Sequence, residues 1–154
     1  MFGERPPHPA GDARVLRIVL PRSPEAPSLA RAATAGLCER REIDPESMST
    51  LTLLVSEIVS NAVVHADAPP ASEILLCVRL LDDGGVRVEV TDQGTGFTPV
   101  PRDPNQRGGG YGLYLVDHQA SRWGVDSRDG TRVWFELASP GRDRDRASGL
   151  ARAD

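Results

Sequence analysis

The sequence predicts a two-layer α/β (α+β) sandwich, with one mixed, largely antiparallel sheet covered on one face by helices. Three observations predict it. Short runs with apolar residues at alternate positions take turns along the chain with longer runs whose apolar residues recur at helical spacing. Two pairs of strand-like runs are each joined by an Asp/Gly turn, Asp82-Asp83-Gly84-Gly85 and Asp129-Gly130, which marks antiparallel hairpins. A length of 154 residues fits one domain and leaves no room for a second catalytic module.

In chain order, residues 13–20 read as a strand with Leu16, Ile18 and Leu20 on one face. A helix is expected within 24–41, with Ser23 as its cap, Pro27 near its start, and Leu29, Ala32, Ala33 and Leu37 on its apolar side. The second helix is better marked. Asp44 caps it, Pro45 suits the first helical position, and Glu46 complements the positive end of the dipole. Its stripe is Leu51, Leu54, Val55, Ile58 and Ala62, and it should stop before Pro69-Pro70. A hairpin of strands 73–81 and 86–91 follows, then a Gly/Pro-rich loop, a third helix near 111–121, and strands 123–128 and 131–138. The domain therefore covers residues 13–138. Residues 1–12 and 139–154 are poor in large apolar side chains and are expected to be disordered.

Composition narrows the function. The net charge of -4 argues against a nucleic-acid surface, which needs clustered positive charge. All 18 basic residues are arginine, which excludes a Walker A lysine, the strand lysine of ordinary protein kinases and a lysine Schiff base. No stretch reads as a membrane helix or a secretory signal, so a cytoplasmic protein without membrane contact is expected. Cys38 and Cys77 are far apart in apolar surroundings and read as buried free thiols.

Three motifs carry chemistry. In SEIVSNAVVHA, Glu57 and Asn61 stand one helical turn apart beside the buried stripe. Two hard oxygens so placed suit a Mg²⁺ that keeps several waters and bridges phosphates. Alone, the pair more often describes a solvated helix face, and His65 reads as a core histidine rather than a ligand. In DQGTGF, strand parity turns Asp92 toward the apolar layer with Val86, Val88 and Val90. An inward carboxylate needs strong donors, and the exocyclic amine of adenine is one, while Gly94 and Gly96 let the backbone come close to a base. An ordinary Asp-x-Gly turn has the same sequence. In RGGGYGLYLVD, Gly108, Gly109, Gly110 and Gly112 run into a helix, so backbone amides and the helix dipole can hold phosphates.

The order of the three motifs resembles the GHKL superfamily of gyrase, heat-shock chaperone ATPases, histidine kinases and MutL over residues 13–138, which implies a Bergerat-type ATP-binding fold. By that resemblance Glu57 and Asn61 look like the N box, with Asn61 binding Mg²⁺ and Glu57 acting as base. Asp92, Gly94 and Gly96 look like the first glycine box, with Asp92 reading adenine. Gly108, Gly110 and Gly112, with Leu113 after them, look like the second glycine box, the ATP lid. Gly130-Thr131 before VWFEL is similar to the last box, with Thr131 inward by parity.

No histidine occurs between residues 13 and 56, where a histidine kinase would carry its phosphoacceptor hairpin. VSEIVSNAVVHA, YGLYLVDHQASRWGV and GTRVWFEL instead look like the stand-alone anti-sigma-factor serine kinases. That resemblance implies ATP and Mg²⁺ as cofactors, a sigma factor and a small antagonist protein as partners, serine/threonine kinase activity toward the antagonist, and room for a homodimer. Two alternatives stay open on the residues alone: a non-catalytic, ATP-dependent protein-binding module, and an ATP-hydrolysing regulator in which Glu57 activates water.

Overall fold

The computed structural model describes residues 14–65, 72–92, 112–126 and 130–139. Eight elements follow in order: β1 (Val15–Pro21), α1 (Ala26–Arg40), α2 (Pro45–His65), β2 (Glu73–Leu80), β3 (Val86–Asp92), α3 (Gly112–Gln119), β4 (Arg122–Asp126) and β5 (Thr131–Leu137). The strands form one sheet in the order β1-β2-β3-β5-β4, and each pairing between the described strands is antiparallel. Gly84 and Gly130 sit at the turns before β3 and β5 with φ of 85° and 87°, a region that glycine enters without a Cβ clash.

The register aligns the inward side chains in rows. Ile18, Leu76, Val90, Val133 and Val125 form one row across all five strands, and Leu16, Val78, Val88, Phe135 and Trp123 form the next. The helices cover these rows. α2 lies between α1 and α3 and packs on the central strand β3. Its expected stripe is the core: Leu51, Leu54, Val55, Ile58 and Ala62 are all buried. The Asp44 carboxylate accepts the Ser47 amide at 3.0 Å, so it caps α2 as expected. That bond, with the Ser47 hydroxyl contributing first, holds the Asp44 carboxyl below the usual carboxylate range.

Several expectations are corrected. α1 buries Ala26, Ala30, Thr34, Leu37 and Cys38, whereas Leu29 and Ala32 face outward. Thr34 is tolerated inside because its hydroxyl donates to the Ala30 carbonyl at 2.7 Å. Ser23 does not cap α1; Glu25 occupies the cap position without a side-chain bond to the helix, and Pro27 fits the first turn, where no helical donor is needed. α2 is also more apolar than expected of any segment here: Pro45–Val64 spans 20 residues at a mean hydropathy of 1.4, enough to cross a membrane by length and composition. Its buried apolar side chains pack in the core with the sheet and α1, while Leu53 and Val64 are exposed. Both cysteines are free, but only Cys38 is buried, and burial followed by the nearby Glu39 charge pushes its thiol pKa up. Cys77 is half-buried on the opposite face of the sheet.

That opposite face carries an ion cluster. Arg87 bonds Glu89 at 3.0 Å and Glu136 at 2.9 Å and stacks over Trp134 at 4.2 Å. Burial lowers the Arg87 pKa, and the bonds to Glu136 and Glu89 outweigh it, so the net shift is upward. The expected disorder of 1–12 and of most of 139–154 lies outside the described residues.

Candidate nucleotide site

The polar end of the sheet begins with β3, whose burial alternates strictly, so that Asp92 follows Val86, Val88 and Val90 into the helix-covered layer. Asp92 is 7% exposed, and its partner across β5 is Thr131, 3% exposed. Strand parity places both inward from sequence, and both lie there. Each is engaged within the protein. A carboxylate and a hydroxyl thus sit side by side at the rim of rows that are otherwise apolar. Burying such a pair is unfavourable unless strong donors meet it.

α2 supplies the second group of oxygens. Glu57 and Asn61 are half-buried, one turn apart, on the flank of the buried arc. Which end of the sheet they lie over follows from one hydrogen bond. Arg22, the residue after β1, donates from Nη2 to the Ala62 carbonyl at 3.1 Å. The end of β1 pairs with the start of β2 at Pro21 and Glu73, and the start of β2 pairs with the end of β3 at Leu75 and Thr91. The last turns of α2 are therefore tied to the end of the sheet that holds Asp92 and Thr131. Nothing in the sequence singles out Arg22, since an arginine just after a strand has the signature of any solvated loop.

α3 closes the third side. Its last residue, Gln119, lines a groove of 480 Å³ together with Leu137, Val86 and Ser47, at the far end of the sheet. Gly112 is its first residue, and Leu113 packs against the core. Gly94, Gly96, Gly108, Gly109 and Gly110 lie outside the described residues, as does the side chain of His65.

These residues suit a magnesium nucleotide chemically. Asp92 offers an acceptor for an amino group, and Asn61 and Glu57 offer hard oxygens of the kind Mg²⁺ prefers. Among the described residues no three of His, Cys, Asp and Glu cluster.

Comparison with known proteins bears on the family and the fold. The family described as histidine kinase-like ATPase domain matches residues 20–137. The serine-protein kinase RsbW of Listeria monocytogenes is 28% identical over 114 residues, covering 66% of this chain and 73% of that protein. RsbW of Listeria innocua is 30% identical over 115 residues with the same coverage, and that of Staphylococcus epidermidis is 31% identical over 112 residues, covering 64% and 70%. Among solved structures, the RsbU and RsbW domains of a Mycobacterium tuberculosis protein align with a TM-score of 0.65 at 23% identity, over 80% of this chain and 32% of that one. The histidine kinase domain of a blue-light activated kinase from Erythrobacter litoralis aligns at 0.51 and 21% identity, over 75% and 63%. The chain spans about a third of the first of these solved chains, and both likenesses speak for the fold alone. With the family matched from the end of β1 through β5 and the serine-protein kinases related over most of their length, the chain belongs to the histidine kinase-like ATPase domain family, of the GHKL anti-sigma-factor kinase type.

Proposed function

We propose that this ATP-binding regulator phosphorylates a serine or threonine of a small antagonist protein, sequesters a sigma factor when the antagonist is absent, and works in the cytoplasm. The observation that carries the nucleotide part is the buried Asp92 carboxylate facing the helix layer opposite Thr131. The serine-protein kinase names of its relatives support the transfer part.

In this reading Asp92 accepts the adenine amine, and Thr131 lines the same polar rim. Asn61 holds Mg²⁺, whose charge neutralises the phosphates when it is bound. Gly94 and Gly96 border the base, and Gly108, Gly110, Gly112 and Leu113 form the lid whose amides meet the phosphates. The antagonist hydroxyl oxygen forms a bond to the γ-phosphorus as the bond to the β–γ bridging oxygen breaks, ADP leaves, and the hydroxyl proton passes to Glu57. Such transfer depends mainly on positioning and charge neutralisation, which lysine-free residues can supply.

The test is radiolabelled γ-phosphate incorporation into a purified antagonist by the parent and by Glu57→Gln, with ATP titrations of both. Transfer should fall about 10²–10⁴-fold in the variant while ATP affinity holds. Parental transfer by Glu57→Gln removes Glu57 from the mechanism. ATP turnover without an antagonist points to a hydrolase, and partner capture without any transfer points to a binding module.

A further inference from the structure

The bond from Arg22 to α2 joins parts of the chain 40 residues apart, and its position relative to Asn61 gives it a consequence. Arg22 stands on a stiff base. The Ser23 amide bonds the Pro21 carbonyl at 2.9 Å and the Ala26 amide bonds the Ser23 carbonyl at 3.1 Å, so the turn between β1 and α1 is held by its own backbone. Pro21 is paired to Glu73 at the edge of the sheet. From this base the guanidinium reaches the carbonyl of Ala62, the residue next to Asn61, near the C-terminus of a 21-residue helix. Carbonyls there lose their helical donors and carry the negative end of the dipole, so a cation is doubly favoured. Helix ends fray unless something holds them.

Resting on the nucleotide reading above, we infer that Arg22 is a positioning residue: it clamps the last turns of α2 to the sheet and so fixes Asn61 over the Asp92–Thr131 end. It acts through Asn61 and needs no contact with the nucleotide. Its counterpart in metal sites generally is the outer group that orients a ligand, whose removal weakens metal affinity about 10–100-fold.

The test uses the full chain. Arg22→Met keeps an unbranched apolar stem and removes the charge and donors, and Arg22→Lys keeps the charge with a single-point donor. Amide hydrogen exchange is measured without nucleotide, and ATP affinity by calorimetry with Mg²⁺ and with EDTA. In Arg22→Met, exchange at residues 62–65 should speed up about tenfold or more while β3 and β5 keep their protection. ATP affinity with Mg²⁺ should fall about tenfold or more and affinity in EDTA by less than about twofold. Arg22→Lys should show smaller changes in the same direction, and it decides alone if Arg22→Met does not fold. Parental exchange at residues 62–65 overturns the clamp, and so does an equal loss of ATP affinity with and without Mg²⁺. A parent protein that binds no ATP sinks the nucleotide reading instead, and the exchange comparison still decides whether Arg22 holds the helix end.

Discussion

Replacing Asp92 by Asn probes the proposed base contact with little change of shape. The side chain is 7% exposed and faces Thr131, so a substitution that altered its volume would disturb the rim, whereas the amide occupies the same space. What changes is charge and polarity: a carboxylate that only accepts becomes a group that can present a donor. The proposed bond from the adenine amine to a carboxylate is charge-assisted and contributes about 1.5–3 kcal/mol. At about 1.4 kcal/mol per factor of ten, ATP should bind roughly 10–150-fold more weakly. The preference for ATP over GTP should narrow as well, since an amide can donate to the 6-oxo group that a carboxylate repels. Calorimetric titration with both nucleotides measures this, and a melting temperature within a few degrees of the parent shows that the fold survives. Unchanged ATP affinity in a folded Asp92→Asn protein would refute the assignment.

Four further outcomes are expected. Asn61→Ala should remove most of the Mg²⁺ dependence of ATP affinity, and equal dependence in parent and variant would place the ion elsewhere. Leu54→Ala empties a fully buried position in the middle of α2 and should lower stability by about 2–5 kcal/mol in a denaturant titration. Asp44→Ala should lower the melting temperature at neutral pH. Because the folded carboxyl titrates lower than an unfolded one, the cap's contribution is complete above about pH 4 and is lost as pH falls through the folded value, so the gap between parent and variant should close in acid. Cys38, buried and with a raised thiol pKa, should resist a thiol reagent in the native protein while the half-buried Cys77 reacts, and a faster Cys38 would contradict the packing of α1.

The elements most legible in the sequence are those whose pattern has contrast. The α2 stripe, its Asp44 cap, and the inward parity of Asp92 and Thr131 all follow from spacing alone, and the structure has them so. α1 was harder to read because alanines populate both of its sides, so periodicity could not choose the buried face; the true face includes Thr34, a residue a hydropathy pattern scores against. The ion cluster of Arg87, Glu89 and Glu136 was invisible for another reason. Parity turns Arg87 and Glu89 outward, but the pairing of Arg87 with Glu136 depends on the register of β3 on β5, and these strands are separated by a whole helix and strand. Arg22 shares this limit, since its partner lies 40 residues away and is a backbone carbonyl that no motif encodes. For the candidate site, sequence supplies the residue types and the fold supplies their meeting place.

The pairing of β3 with β5 also bears on how the protein reaches its native state. The hairpins β2–β3 and β4–β5 close over short turns, but Asp92 meets Thr131 across about 40 positions of chain, and β1 meets β2 across a longer span that includes both large helices. Contacts of such separation form late, after the entropy of closing the loop has been overcome, and they slow folding relative to a helical bundle of equal size. The Asp92–Thr131 rim lies on one of these late seams. A chain in which this seam has not closed lacks the Asp92–Thr131 rim. A nucleotide held at that rim should therefore stabilise the closed β3–β5 seam against opening.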